Sequence, residues 1–390
     1  MKIVNTQTLH ADAGWRNYHF VKITTDTGLV GYSEYDEGLG AVGITTVINR
    51  FARLIEGDDP LAHERIFAKL KGFSRQAFSG VVACGAGAIE NALLDLKAKH
   101  LGVPCYELLG GLVRSRVRVY WSHCATWRIA RPQYYPPPIT DLDGVKALGA
   151  EVKGKGFTGL KTNVFVYENN GVQSWAPGFG WPFDPARNVD RSVLNNLRTH
   201  LEALREGAGE DMDILLDLNF NATTEGYLRI IRSLADFDLF WVEIDTTNPE
   251  TLAYIRNHST HPISSCETLT GGPAFVPYFT DQAVDVAIID AVWNGVWQSV
   301  KIAAQADAHG VNIAPHNYYG HLSTFMNLHF SAVTSNLRIM ETDIDRLAWD
   351  DELFTHSPEI VDSEIIIPDR PGWGTEPDEA GLAKHPIKTR

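Results

Sequence analysis

Three acidic residues stand at a regular spacing in the second half of the chain, each directly after a short apolar run. They are Asp217 in DILLDLN, Glu243 in FWVEID and Glu267 in ISSCET, at intervals of 26 and 24 residues. A strand of about 5 residues, a helix of about 11 and two short loops span roughly this interval. Acids that end three neighbouring parallel strands would crowd together at one rim, where a bound metal ion makes the crowding favourable.

The chemistry that these three acids suggest is binding of one hard divalent cation. Three oxygen ligands leave the remaining positions of octahedral Mg²⁺ for substrate and water. The alternative is that the acids are ordinary loop charges or helix N-caps, which would be the better interpretation of any one alone. Three acids in one register favour the metal site.

The interval then continues through three further polar residues. Asp290 in AIID, His316 in NIAPH and Glu341 in RIMET follow at 23, 26 and 25 residues. A carboxylate that holds an imidazole and raises its basicity makes His316 a candidate general base. Glu341, if protonated beside the other acids, would donate a hydrogen bond to a developing oxyanion. A structural histidine and a surface salt bridge are the alternatives for His316 and Glu341.

Further polar groups follow the second and third predicted barrel strands. Lys161 in GLKTN can bind a substrate carboxylate, or transfer protons if burial lowers its pKa. Asn163 lies two residues later and therefore on the same face, where its amide can hydrogen-bond. Asn219 follows Asp217 at the same spacing, so we expect it to flank the metal site.

The elements that must position these residues alternate between strand and helix from about residue 116 onward. The predicted strands are 116–122, 158–163, 213–218, 238–243, 262–266, 285–289, 311–314 and 336–340. Eight such units in roughly 230 residues match a β/α barrel in size and order. A doubly wound open sheet is the competing topology, but no GxGxxG turn follows a first strand, so the barrel is favoured.

The N-terminal part has a different pattern. Residues 18–25 and 28–33 predict a β-hairpin, and a helical stretch runs from Gly43 to Leu109, with Gly102 and Pro104 closing its GAGAIENALLDLKAKHLG segment. We therefore expect an α+β unit over residues 1–115 and a barrel over 116–355. A Pro- and Gly-rich segment over 356–390 should pack back on the first unit.

One connection is unusually long. Residues 164–188 contain several Gly and Pro and show no periodicity, and a loop of this length is usually functional or disordered. Because it follows the second barrel strand, Trp175, Trp181 and Phe183 are candidates for a lid over the rim. A contact between subunits is the equal alternative.

Composition limits the classes of function. The chain has 390 residues, a net charge of −14 and 44% hydrophobic residues, which is typical of globular proteins and argues against a nucleic-acid partner. No apolar run reaches the roughly 20 residues of a membrane span. Four scattered cysteines and no secretory signal predict a reduced, cytoplasmic protein. We also expect a homo-oligomer, from a dimer up to an octamer.

The motifs GLKTN, LLDLN, WVE, SCET, IID, APHN and MET, in this order, resemble the mandelate racemase-like branch of the enolase superfamily. GWRNYHFVKITTDTGLVGYSE, GAIENALLDLKAKHLGVPCYELLGG and PGWGTE resemble its capping domain, so the similarity covers almost the whole chain. The resemblance implies a (β/α)₇β barrel with an N-terminal α+β cap that the C-terminal tail completes. It also implies Mg²⁺ and abstraction of the proton next to a carboxylate.

By position, the resemblance implies that Asp217, Glu243 and Glu267 bind the metal. It makes Asp290 and His316 the catalytic pair.

The resemblance further implies that Glu341 donates a hydrogen bond to the enolate. Lys161 matches the first lysine of the family's Lys-x-Lys, but Asn163 replaces the second, which is a base on one face of the substrate. Inversion of a centre requires proton donors and acceptors on both faces, so this replacement speaks against racemisation. Arg16 and the polar loop after the first barrel strand suit a hydroxylated acid better than an aromatic one.

Three functions follow from these observations. The first is a Mg²⁺-dependent dehydratase of an aldonate or aldarate, a lyase that forms a 2-keto-3-deoxy acid. The second is a racemase, epimerase or cycloisomerase of the same branch. The third is a non-catalytic protein that binds sugar acids.

Overall fold

The computed structural model describes residues 1–38, 42–74, 78–168 and 171–388. An antiparallel sheet of β1 (Ile3–Ala13), β2 (Arg16–Thr25) and β3 (Val30–Tyr35) opens the chain in that order. The predicted hairpin corresponds to β2 and β3. The sequence prediction missed β1, and Arg16 therefore begins the second strand rather than preceding the first. β1 is an edge strand with a largely polar, partly exposed middle, so it lacks the apolar alternation that marks a buried strand.

Helices cover the sheet. They are α1 (Ile44–Ile55), α2 (His63–Gly72), α3 (Gly80–Leu101) and α4 (Cys105–Leu108). The single predicted helical stretch is thus divided, although α3 ends at the predicted Gly102, whose φ of 70° suits glycine. Small residues let α3 approach the barrel closely, since a Cβ on Gly87 would come within 2.7 Å of the Trp293 carbonyl oxygen.

A barrel follows the cap. Its strands and helices in chain order, with one hairpin, are β4 (Arg116–Cys124), α5 (Thr126–Ala130), α6 (Leu142–Gly154), β5 (Gly159–Thr162), β6 (Phe165–Glu168), β7 (Gly171–Ser174), α7 (Arg191–Ala208), β8 (Asp213–Asp217), α8 (Thr224–Ser233), β9 (Leu239–Glu243), α9 (Pro249–Asn257), β10 (Ile263–Ser265), α10 (Gly272–Thr280), β11 (Val286–Ile289), α11 (Ala291–Asn294), α12 (Val296–Ala308), β12 (Asn312–Pro315), α13 (His321–Val333) and β13 (Met340–Thr342).

The parallel strands pair in the order β12-β11-β10-β9-β8-β5-β4-β13, and a bridge between Ile313 and Leu337 closes the ring. Within the described residues only a 3₁₀ turn, Asp350–Leu353, follows β13 before the tail. The arrangement is therefore (β/α)₇β, which confirms the barrel and excludes the open sheet. The eighth strand begins four residues later than predicted, because the earlier residues contribute only the closing bridge.

The long connection after β5 contains regular structure. It contains the antiparallel hairpin β6–β7, which its Gly and Pro content concealed, and residues 169–170 lie outside the described ranges. Trp175 is buried, whereas Trp181 and Phe183 are 57% and 83% exposed. Only the latter two are therefore placed to contact another surface, and their roles as lid or subunit contact stay predictions.

The tail contacts both parts of the molecule. It contains β14 (Ile360–Val361), β15 (Glu364–Ile366) and α14 (Glu379–Lys384), and β15 pairs antiparallel with β4. Beyond it, the buried Trp373 donates from Nε1 to the Tyr32 carbonyl of the sheet at 3.1 Å. The segment therefore extends the barrel sheet first and then reaches the cap, while the three domain boundaries stay predictions. None of the described helices has the length and apolar character of a membrane span.

Candidate active site

The polar residues predicted from the sequence meet at the carboxyl ends of the barrel strands. Asp217 and Glu243 end β8 and β9 as register partners, and Glu267 lies two residues after β10. Asp290 and His316 directly follow β11 and β12. Because parallel strands end at one rim, residues far apart in the chain become neighbours.

Lys161 on β5 lies at the centre of this rim. Its Nζ is 3.0 Å from Glu341 Oε1 and 3.4 Å from oxygens of both Asp217 and Glu243. Burial opposes the positive charge, but the carboxylates, Glu243 first, outweigh it and raise the pKa of Lys161 well above its usual value. The carboxylates around Lys161 therefore favour its ammonium form, which suits the first of the two alternatives, binding of an anion; the lowered pKa on which the second depends is not found in this structure.

The three candidate metal ligands are crowded but incompletely partnered. Burial, reinforced by Asp217 and Glu267, raises the pKa of Glu243 even though Lys161 opposes the shift. Its Oε1 is buried without a hydrogen-bond partner. A buried carboxylate oxygen without a partner is costly, so this site favours a cation.

The spacing of the acids gives a different indication. In the ranges that the structure describes, no three His, Cys, Asp or Glu side chains stand close enough together to hold a metal ion as they are oriented here. Lys161 occupies the space between Asp217, Glu243 and Glu341. The unpartnered buried oxygens nevertheless favour a cation here, because carboxylate side chains rotate whereas their burial is fixed by the strands. The oxygen donors fit Mg²⁺.

Asp245 is a fourth acid here that the sequence analysis missed. It is 6% exposed and its Oδ1 has no hydrogen-bond partner. Burial, followed by Glu267 and Asp217, raises the pKa of its carboxyl well above the usual value. Its position two residues after Glu243 was the available signal, since side chains at that spacing share a face of an extended segment.

His316 and Asp290 form a close pair. The distance from His316 Nδ1 to Asp290 Oδ2 is 2.6 Å, while His316 Nε2 lies 3.6 Å from Glu267 Oε1 and 3.9 Å from Glu341 Oε2. Burial opposes protonation, but the charge of Glu267 and the hydrogen bond that Nδ1 donates to Asp290 raise the pKa of His316 to about 10. Nε2 is thus the nitrogen that faces the acids and can exchange a proton.

Glu341 is fully buried and accepts hydrogen bonds from three sides. Ser122 Oγ donates at 2.5 Å and the Asn317 amide at 2.8 Å, in addition to Lys161. Burial favours the neutral form, but Lys161 and then His316 outweigh it and hold the pKa of Glu341 below its usual range. The condition under which Glu341 would donate a hydrogen bond, protonation beside the other acids, is therefore not met in this structure, because Lys161 and His316 favour the carboxylate. Its catalytic role stays a prediction.

Asn163 and Asn219 lie behind Asp217. Asn163 Nδ2 donates to the Asp217 carbonyl oxygen at 3.3 Å, and the Asn219 amide donates to Asp217 Oδ1 at 2.9 Å. Thr126 donates to Asn163 Oδ1 at 2.7 Å. The structure thus places the Asn163 side-chain amide and the Asn219 backbone amide beside Asp217, where Asn219 was expected. Contact of either residue with substrate stays a prediction.

Arg16 reaches the rim from the cap. Its Nη2 donates to the Tyr318 carbonyl at 2.5 Å, and its guanidinium lies over the Tyr318 ring, 4.8 Å from the centroid. By contrast, Arg128 forms ion pairs with Glu151 and Asp345 at 2.6 and 2.8 Å. Arg128, in the polar loop after the first barrel strand, is thereby held by the scaffold.

Both parts of the chain are similar to known proteins. Residues 6–110 match the model of the mandelate racemase / muconate lactonizing enzyme N-terminal domain, and residues 145–381 match that of the enolase C-terminal domain-like family. A D-galactonate dehydratase family member from Streptomyces bingchenggensis is 30% identical, with 96% of this chain and 90% of the relative covered. A D-gluconate dehydratase from Thermoproteus tenax is 28% identical over 96% of this chain and 71% of the relative.

A solved structure gives a different functional name. It is a Burkholderia xenovorans LB400 protein provisionally described as an L-alanine-DL-glutamate epimerase, bound to magnesium and fumarate. It is 62% identical, with a TM-score of 0.98, and covers 99% of this chain and 96% of that one. By the two family matches and the barrel with its cap, this chain belongs to the mandelate racemase-like branch of the enolase superfamily.

Proposed function

We propose that this chain is a Mg²⁺-dependent dehydratase of a small hydroxylated acid, an aldonate or an aldarate. The observation that carries the proposal is the pairing of His316 with Asp290 at 2.6 Å on one side of Glu341, while Lys161 lies 3.0 Å from that same carboxylate. The surrounding acids keep Lys161 protonated. One base and one fixed cation suit elimination, in which a single group can remove and return the proton.

Asp217, Glu243 and Glu267 are the residues that would hold the metal, with Asp245 beside them. A bound divalent cation supplies positive charge where a second negative charge develops on the substrate carboxylate. Lys161 donates hydrogen bonds to the same carboxylate from the side of β5. Ammonium groups held in a dry site stabilise such charge strongly because they need no reorganisation.

His316 carries the proton. The charges of Glu267 and Glu341 favour the imidazolium, so the neutral base forms once those charges are balanced. Nε2 then takes the α-proton while Asp290 holds Nδ1. The resulting enolate expels the 3-hydroxyl, to which His316 returns the proton, so that water leaves and an enol remains. The enol tautomerises to a 2-keto-3-deoxy acid.

The class of substrate follows from the relatives and from the charges at the rim. Curated relatives at 26–30% identity are named for galactonate, gluconate and xylonate. Fumarate in the Burkholderia structure is a four-carbon diacid, which supports including aldarates. Arg16, at the cap side of the rim, is the candidate partner of hydroxyls or of a distal carboxylate.

A screen of mono- and diacid sugars with added Mg²⁺ tests the proposal, with 2-keto acid formation as the readout. We expect turnover of at least one C4–C6 sugar acid, and none after chelation with EDTA. Saturable binding without turnover throughout the screen would contradict a dehydratase and favour a binding protein.

Epimerisation is the second candidate because of the name given to the 62%-identical Burkholderia protein. Lys161 and His316 approach different oxygens of Glu341, at 3.0 and 3.9 Å. Proton transfer on opposite faces of a substrate would use these two residues, provided that Lys161 releases its proton. Incubation with the acids, and with L-Ala-L-Glu, in D₂O separates the candidates. Deuterium incorporation at the α-carbon with inversion and without 2-keto acid would favour epimerisation.

A further inference from the structure

The His316–Asp290 pair has a third member. The Tyr319 hydroxyl donates to Asp290 Oδ2 at 2.5 Å, the same oxygen that His316 Nδ1 approaches. The Tyr319 ring stands edge-on to the imidazole with centroids 5.5 Å apart, and Tyr319 is 2% exposed. Because the backbone amide of Trp293 donates to the other oxygen, Oδ1, at 2.7 Å, the carboxylate is held at both ends.

The segment that carries Tyr319 is fixed from outside the barrel. Glu34 on β3 accepts from the amides of Gly320 and Ser323 at 2.6 and 2.9 Å, which satisfies the start of α13. A Cβ on Gly320 would lie 2.7 Å from Glu34 Oε1 and 2.8 Å from Phe354 Cζ, so a larger residue there would displace these side chains.

Two arginines hold the same segment. Arg346 donates to the Tyr319 carbonyl and Arg16 to the Tyr318 carbonyl, both at 2.5 Å. The segment that carries Tyr319 thus has little freedom relative to the cap.

We propose that Tyr319 is a positioning residue for the base, held in place by the capping sheet. The inference rests on the proposed role of His316. With Tyr319 and Trp293 donating, the Asp290 carboxylate cannot rotate, so Nδ1 keeps its proton and Nε2 faces the cavity. Without the hydroxyl, Asp290 gains rotational freedom and the imidazole spends less time in the reactive orientation.

The test is Tyr319→Phe, which removes one hydroxyl and keeps the ring. We expect kcat to fall about tenfold, the effect of one hydrogen bond, with KM changed less than about twofold. Tyr318→Phe is the matched control, since its hydroxyl bonds to Asp36 of the cap instead, at 3.2 Å. An equal loss of kcat in both variants, or none in Tyr319→Phe, would overturn the inference.

A spectroscopic readout separates this inference from the proposed function. In protein labelled at histidine and tyrosine, we expect a downfield Nδ1–H proton of His316 with a nuclear Overhauser effect to the Tyr319 hydroxyl proton. The Nδ1–H signal should broaden in Tyr319→Phe and persist in Tyr318→Phe. Absence of that contact in the unaltered protein overturns the inference, even if Tyr319→Phe is unstable. Loss of the proposed activity alone leaves this readout intact.

Discussion

Two groups of buried carboxylates in this molecule differ in how completely they are partnered. Where the cap meets the barrel and the tail, Asp95 and Glu34 have hydrogen-bond donors on both carboxylate oxygens. Asp95 accepts from the amides of Tyr32 and Trp373 at 2.8 and 3.0 Å and pairs with Lys99 at 2.5 Å. Glu34 accepts two amides at the start of α13.

The barrel mouth, which is the rim where the carboxyl ends of the barrel strands meet, is the contrasting case. Glu243 Oε1 and Asp245 Oδ1 have no partner, and burial together with neighbouring acids raises the pKa of both carboxyls. Unpartnered buried oxygens oppose folding. The buried carboxylates at the interface therefore stabilise the fold, whereas those at the barrel mouth have oxygens available to bind a ligand. Substitutions at the mouth should therefore change chemistry, and those at the interface should change stability.

The largest expected effect is a difference in α-proton exchange between substitutions of two buried histidines. His316→Asn should reduce α-proton exchange by about 10³-fold or more, because the general base is lost, while the melting temperature and Mg²⁺ binding change little. Exchange is followed by NMR in D₂O with a substrate from the acid-sugar screen. His329 is the control, since it accepts from the Tyr106 amide at 3.1 Å in the interface. His329→Asn should lower stability and leave exchange per folded molecule intact; the opposite pattern would refute the division.

Asp95→Ala should have the next largest effect. Removing a buried, fully bonded charge and leaving Lys99 without it costs about 3–5 kcal/mol, measured by urea unfolding, with kcat within about twofold of the unaltered protein. The exposed Glu376 also pairs with Lys99, at 2.6 Å, and Glu376→Ala should cost less than about 1 kcal/mol. Similar losses for the two variants would show that burial is not what matters.

Asp245→Asn should weaken Mg²⁺ binding about tenfold, as loss of a group beside a metal site does. It should also stabilise the metal-free protein, because one of several repelling charges is gone. Calorimetric titration and metal-free unfolding measure the two effects. Asp343, which is buried but bonded to Trp127 and His123 at 3.2 and 3.1 Å, is the control. Unchanged affinity in Asp245→Asn, or an equal loss in Asp343→Asn, would separate Asp245 from the cation site.

The last expected effect concerns the pH dependence of stability. Burial raises the pKa of Glu34 to about 7 from a usual 4.5, so the folded state binds more protons than the unfolded chain between these values. Stability should therefore fall as pH rises from about 4.5 to 7, by up to about 1.4 kcal/mol per pH unit from this group. Glu34→Gln should flatten that slope in unfolding experiments. A slope identical to that of the unaltered protein would assign the titration elsewhere.

The spacing of polar residues in the sequence predicted a site at the barrel mouth, because strands and helices of similar length repeat along the chain. The regular spacing of the polar residues from Asp217 to Glu341 predicted which of them share one rim. It did not predict Asp245, because the interval assigns one polar residue to each strand end and Glu243 already occupies that position on β9. Nor did it predict the ionised state of Glu341, which depends on Lys161 from a strand far away in sequence.

Tyr319 and β1 escaped prediction for related reasons. Tyr319 lies in the polar-aromatic segment APHNYYG and acts through the orientation that the cap imposes. β1 is an edge strand whose polar middle gives no periodic signal. The placement of Tyr319 depends on contacts between parts of the chain more than 250 residues apart, such as Glu34 with Gly320, so neither feature shows in a local pattern.

Crystallography of the protein grown with Mn²⁺ tests the central claim most directly, because the anomalous signal identifies the ion without reference to activity. We expect an anomalous difference peak bounded by Asp217, Glu243 and Glu267, with His316 Nε2 facing it across the cavity. A barrel mouth with no anomalous peak at saturating Mn²⁺, and with Lys161 still bonded to these acids, would contradict it.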